Sequence, residues 1–195
     1  MRGKQLYISR PNFKSKSENK LVGIIIAADI NNTTAIINEL ILLDTNYKIF
    51  IMNDDSDTNN KLNKEKLYNI GYNIAKNNKC KYVIFQDENI IPDNNLLTYY
   101  NIYPIDPIVL SRNNVLSISI PDFELLKSKS TSTSNMKILR LIKNNINLQL
   151  PSTGSYTVDK EHDIIDNNFK IHKKINYKIV EQQIISNNII YYIVK

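Results

Sequence analysis

An unbroken apolar run from Leu21 to Ala28 constrains this chain more than any other feature. A strand with one wet face alternates in polarity, whereas Val22 to Ala28 is apolar throughout and rich in Ile. It reads as a strand buried on both faces, at the centre of a mostly parallel sheet. Asn32, Thr33 and Thr34 then offer N-cap side chains ahead of Ile36, Ile37, Leu40 and Ile41 at helical spacing. Tyr47 to Met52 is a second strand, ending in the turn formers and carboxylates Asn53-Asp54-Asp55-Ser56-Asp57. From Leu62 to about Asn77, Leu67, Ile70 and Ile74 share one face while Lys64, Lys66 and Lys76 lie away from it, which predicts an amphipathic helix. Lys81 to Phe85 is a third strand, running into Gln86-Asp87-Glu88-Asn89-Ile90-Ile91-Pro92. Polar side chains therefore stand at the carboxyl end of a parallel strand, the edge where open α/β sheets bind ligands.

Before that domain, residues 1–20 are polar, rich in Lys, Ser and Asn and without periodicity, an N-terminal polar arm. Residues 21–195 read as one domain, long enough to bury a full core without staples. After Pro92 the pattern predicts a short helix over Asp93 to Tyr100 and short strands over Ile108 to Leu110 and Val115 to Ile120. Pro121 to Leu126 is expected to be a helical turn with Pro at its first position. The Ser/Thr-rich stretch near 128–135 cannot bury apolar surface and is expected to be a mobile loop. Met136 to Lys143 is helical by spacing, and Tyr177 to Val180 with Ile189 to Val194 form a closing C-terminal hairpin.

Composition removes several function classes. Glycines stand only at 3, 23, 71 and 154, so neither a G-x-G-x-x-G dinucleotide turn nor a P-loop can be built. The residues around Gly154 are not a G-x-S-x-G elbow. Cys80 alone excludes an intramolecular disulfide framework, and with only His162 and His172 beside it a Cys/His zinc site is excluded too. Flanked by Lys79 and Lys81 but with no placed His, Cys80 reads as a half-buried small hydrophobe and not as a nucleophile. A net charge of +6 permits attraction to nucleic acid, yet the lysines are scattered singly, so a nucleic-acid partner is not expected. In the tyrosine pairs Tyr99-Tyr100 and Tyr191-Tyr192, alternation buries one of each and leaves little for base stacking. About thirty Asn and a similar number of Ile, with Lys preferred over Arg, point to A/T-rich codons, as in a virus or an A/T-rich microbe. No signal-peptide core follows Met1 to Gln5, and the longest apolar run falls far short of the roughly 20 residues of a membrane span. The expectation is a soluble protein in a reducing compartment, cytoplasmic or virion-associated and not secreted.

Asp87-Glu88-Asn89 is the most informative cluster. Its oxygens suit a divalent cation able to neutralise a diphosphate leaving group. A solvated acidic turn closing a strand is the other reading, and the same two readings hold for Asp54, Asp55 and Asp57.

Four ordered stretches resemble the GT-A nucleotide-sugar glycosyltransferases, in detail the β-1,4-galactosyltransferase type. Val22-Gly23-Ile24-Ile25-Ile26 is similar to the family's first strand, and Asn53 with Ser56-Asp57-Thr58 to its Asn and Gly-Asp-Thr loop. Leu62 to Tyr72 resembles the helix start F-N-R-A-x-L-x-N-x-G-F, and Tyr82 to Pro92 the strand ending in F-x-D-x-D-x-x-P. Ser117 to Leu126, Met136 to Ser155 and Tyr177 to Val194 keep the order of its later elements. The resemblance implies a GT-A-like, Rossmann-like mixed sheet flanked by helices, and a UDP-sugar donor with a glycan or protein acceptor. By the same resemblance Asp57, Asn63, Lys64 and Asp87 would bind the nucleotide, while Glu88, Asn89 and His162 would ligate Mn²⁺.

The departures from the family carry as much weight. The second Asp of D-x-D is Asn89, a neutral and weaker ligand. The nucleotide-contacting P-F-R-N-R is replaced by Ala27-Ala28-Asp29-Ile30-Asn31, without either arginine. Ser130 to Asn135 stand where W-G-W-G-G-E-D-D-D would supply the sugar-binding loop and the base, and the chain has no Trp. Inversion at a sugar carbon needs a carboxylate to take the acceptor proton, and this loop offers none. One reading is therefore a degenerate, catalytically lapsed homologue with a binding or structural role and a protein partner. The alternative is an active metal-dependent transferase that has rebuilt its site from Asp87, Glu88, Asp57 or Asp122.

Overall fold

The computed structural model describes residues 20–55, 62–111, 115–129, 151, 154–158, 170–172 and 174–195. Asp57, His162, nearly all of the N-terminal arm, residues 130–135 and the helix expected from Met136 lie outside these described residues. The architecture is mixed α/β, a mostly parallel sheet flanked by helices with a C-terminal hairpin.

The unbroken apolar run forms β1 (Val22–Ala27), and all six of its residues are buried. On one side it pairs in parallel with β2 (Tyr47–Asp54), on the other with β3 (Tyr82–Gln86). Between β1 and β2 lies α1 (Thr34–Leu40), and between β2 and β3 lies α2 (Lys64–Asn77). The chain then continues through β4 (Ile90–Pro92), α3 (Asn94–Leu97), β5 (Ile108–Ser111), β6 (Val115–Ser119) and α4 (Ile120–Lys129). Later come β7 (Tyr156–Val158), β8 (Ile179–Ser186) and β9 (Ile189–Val194). Seven strands form one sheet in the order β5-β6-β3-β1-β2-β9-β8, and β4 pairs with β7 in a small ribbon.

Alternation along the central strands divides the core in two. Ile25, Ala27, Phe50, Met52, Val83 and Phe85 face α2 and α4, packing on Leu67, Ile70, Ile74, Phe123 and Leu126. Ile24, Ile26, Ile49, Ile51 and Ile84 face α1 and α3, against Ile36, Leu40, Leu96 and Leu97. Each fully buried Ile or Phe contributes roughly 1.5–3 kcal/mol, so strands covered on both faces anchor the fold.

The β1→β2 connection steps one way across the sheet, and β2→β3 steps back past β1. Two right-handed crossovers in opposite directions put their helices on opposite faces, as α1 and α2 are. The direction of winding therefore reverses between β1 and β3, and a crevice at such a point, beyond the carboxyl ends, is where open α/β sheets bind ligands.

Several local expectations change. Thr33 stands at the N-cap of α1 but makes no side-chain cap bond; its hydroxyl donates to the Ile30 carbonyl at 2.7 Å, closing the 3₁₀ turn before the helix. Pro121 is the second residue of α4, in the first turn where no N–H is needed. That helix extends through Ser128 and Lys129, so the expected loop does not begin at 128. The first strand of the hairpin is Ile179–Ser186 and not Tyr177 to Val180, because all eight residues form an exposed edge on which no alternation is imposed. Both members of each tyrosine pair are buried, since β9 is covered on both faces and the turn at Tyr99-Tyr100 is packed under the sheet. Cys80 is buried rather than half-buried.

Candidate functional site at the carboxyl edge

The parallel register aligns Ala27 with Met52 and Ile26 with Gln86, so β1 and β3 end together. Beyond β1 and β3 follow Asp29 and Asp87 to Asn89, while β2 runs on beside β9 through Asn53 and Asp54 to Asp55, and α2 begins at Lys64, whose ammonium reaches Asp87 and Glu88.

The turn after β3 is shaped by a buried amide. Gln86 is fully buried, and its Nε2 donates to the carbonyls of Asp87 at 2.8 Å and Ile90 at 2.7 Å. The Tyr100 hydroxyl donates to Gln86 Oε1. From α2, the Tyr68 hydroxyl donates to the Gln86 backbone carbonyl at 2.9 Å. Burial, with the charges of Asp87 and Glu88, pushes the Tyr68 phenol far above its ordinary range, so it remains a neutral donor. Buried polar groups that are fully paired rigidify what they hold, and here they hold residues 87–90. Asp87 Oδ1 accepts the Asn89 backbone N–H at 2.9 Å, fixing its carboxylate.

Lys64, at the first position of α2, sends its ammonium into this turn. Nζ lies 2.8 Å and 3.0 Å from the two Glu88 oxygens and 3.3 Å from Asp87 Oδ2. All three side chains are largely buried, at 15% relative exposure for Lys64, 6% for Asp87 and 12% for Glu88. Burial raises the Glu88 pKa, Asp87 raises it further, and Lys64 acts in the opposite direction. Removing one partner from such a buried set leaves uncompensated charge and costs about 3–5 kcal/mol.

Around this triad the edge is acidic. Asp29 caps the 3₁₀ turn after β1, accepting from Asn31 N at 2.8 Å. Asn53 Nδ2 donates to the Tyr191 hydroxyl at 2.8 Å and reaches Asp29 Oδ2 at 3.5 Å, tying β1, β2 and β9 together. Lys66 Nζ stands 3.9 Å from Asp54. Asn63 is the N-cap of α2, accepting from Lys66 N at 3.0 Å.

Lys64, Asp87 and Glu88 are thus brought together, with Asn89 following in the turn and Asn63 capping the adjoining helix. Asp122 is not brought there: its Oδ2 accepts from Ser119 Oγ at 2.6 Å, and Ser119 pairs with Tyr82 at the opposite end of β3. Gln86 lies four positions further along the strand than Tyr82, roughly 13 Å at the strand rise. Asp122 is therefore excluded as a base acting beside Asp87.

The residues as arranged do not fit a divalent ion. An ammonium stands between the two carboxylates, and the other Asp87 oxygen is engaged by the backbone. Among the described residues no group of three or more His, Cys, Asp or Glu side chains is placed to hold a metal. The second histidine, His172, has its Nε2 2.6 Å from Oε1 of Glu65, the residue that follows Lys64 in α2. Its segment is strapped to α2 by Asn69, whose Nδ2 donates to the Lys170 carbonyl and whose Oδ1 accepts from His172 N.

Sequence reasoning missed Gln86, Tyr68 and Tyr100 as the frame of this turn, and Asp29 as its neighbour. Only Asp29 carried a local signal, a turn-forming Asp directly after a buried strand. No helix among the described residues is long and apolar enough to cross a membrane. The chain matches no protein-family model, and no curated protein matches it in sequence.

Proposed function

We propose that this chain is a GT-A-like domain of the β-1,4-galactosyltransferase type in which sugar transfer has lapsed and whose role is to bind or scaffold a protein partner. The reading is supported by a doubly wound order with acidic residues at the point of reversal, as the resemblance implies. The observation that carries the loss of activity is the Lys64 ammonium held between Asp87 and Glu88.

Transfer from a nucleoside-diphosphate sugar requires positive charge to meet the departing diphosphate and a carboxylate to take the acceptor proton. Among the described residues, Asp29, Asp54, Asp55, Asp87 and Glu88 at this edge outnumber Lys64, Lys66 and Lys195, and the ammoniums of Lys64 and Lys66 lie beside carboxylates. A diphosphate approaching it meets a field of its own sign.

Thermal melting with UDP, UDP-galactose and UDP-glucose, each with and without Mn²⁺, tests the reading, with Asp87→Asn as the control. A ligand at about 100 times its Kd adds roughly 2.7 kcal/mol, several degrees at this chain length. The expected result is no shift with any donor. A Mn²⁺-dependent shift lost in Asp87→Asn would establish donor binding and favour the active metal-dependent transferase.

A further inference from the structure

We infer that Lys64 is the resident cation of this site: its ammonium takes the place of a divalent ion between Asp87 and Glu88, and removing it converts the pair into a divalent-cation site. The inference concerns the cation alone, so a result with Mn²⁺ and a result with a UDP-sugar fail independently of one another.

Three observations carry it. The ammonium contacts three carboxylate oxygens at 2.8, 3.0 and 3.3 Å, from a lysine at the start of a 14-residue helix and two consecutive residues of a turn. The turn backbone and the Asp87 carboxylate are held independently of that lysine, by Gln86, Tyr100, Tyr68 and the Asn89 N–H, so the turn keeps its shape without it. Both carboxylates are largely buried, so a compensating positive charge is required, and hard oxygen donors supply what Mn²⁺ or Mg²⁺ binds. An ammonium and a divalent ion cannot share that space. While Lys64 is present, the edge carries its own fixed cation, one that cannot dissociate or take a diphosphate oxygen into a coordination shell.

Mn²⁺ alone is the probe, titrated into wild type, Lys64→Ala, Lys64→Gln and the double variant Lys64→Ala/Glu88→Gln, and followed by the electron paramagnetic resonance of free Mn²⁺ and by melting temperature. Wild type is expected to bind no Mn²⁺ at this pair. Lys64→Ala and Lys64→Gln are expected to bind at least about tenfold more tightly than wild type, with a higher melting temperature in Mn²⁺ and loss of both effects on adding Glu88→Gln. If a lysine variant does not fold by itself, recovery of its circular dichroism on adding Mn²⁺ is the same result, and failure to recover counts against the inference. Two outcomes overturn it: a wild-type Mn²⁺ site abolished by Glu88→Gln, or Lys64 variants that bind no more Mn²⁺ than wild type.

Discussion

Replacing Gly71 by Ala isolates the contact that seats α2 on the sheet. A methyl group there would overlap Ile25 Cγ2 and come within 3.2 Å of Met52 Cγ, so the helix or both strand side chains must move. Two effects oppose each other. Ala is favoured over Gly in a helix interior by about 1 kcal/mol. Overpacking a close-packed core costs about 1–3 kcal/mol, toward the upper end here because the nearest obstacle is a β-branched side chain of the central strand. The net expectation is a loss of about 1–2 kcal/mol, read in urea denaturation as a lower midpoint with an unchanged slope. Combining Gly71→Ala with Ile25→Ala sharpens the measurement, because the added methyl enters the space that Ile25 vacates. The cost of Ile25→Ala, about 2–5 kcal/mol alone, should fall by about 1 kcal/mol or more in the Gly71→Ala background. If Gly71→Ala raises the midpoint, helix propensity outweighs the contact and α2 does not press on β1 as described.

Three further outcomes follow from the same geometry. Lys79 adopts φ 65° after α2, where Cys80 N donates to the Ala75 carbonyl and Lys79 N to the Lys76 carbonyl, a Schellman end that favours Gly; Lys79→Gly should stabilise by about 1 kcal/mol in the same denaturation assay, and Lys79→Val should destabilise. Because burial raises the Glu88 pKa, the folded state holds that proton more tightly than the unfolded chain. The stability of wild type relative to Glu88→Gln should therefore fall as pH rises from about 4.3 through the raised value, and a difference that grows instead would mean that Lys64 outweighs burial. Burial pushes the Cys80 thiol up to about 12, so labelling by a disulfide reagent near pH 8 should run at least about 100-fold slower than for a free cysteine and accelerate only on unfolding.

What the sequence disclosed follows its periodicities. β1, β2 and β3 were legible because burial on both faces leaves an unbroken apolar run, and α2 because its stripe returns every three to four residues. β8 was not, since an edge strand exposed on both sides, carrying Glu181, Gln182 and Gln183 among isoleucines, has no pattern to show. At the site, Asp87 and Glu88 were found from their position after a strand. Lys64 was included as a nucleotide contact, and its role against Glu88 depends on a partner 24 residues away. Gln86 and Tyr100 looked like an ordinary polar residue and one of a tyrosine pair; only the packed structure makes them a buried frame. The Asn69 strap joins residues 103 apart and leaves no trace in either segment.

Release of UDP from UDP-galactose and UDP-glucose in the presence of Mn²⁺, with wild-type protein beside Asp87→Asn, tests the central claim most directly. With Lys64 held between Asp87 and Glu88, the rate should equal that of a protein-free blank for both donors. Mn²⁺-dependent release that disappears in Asp87→Asn would contradict the account and make this carboxyl edge a working transferase site.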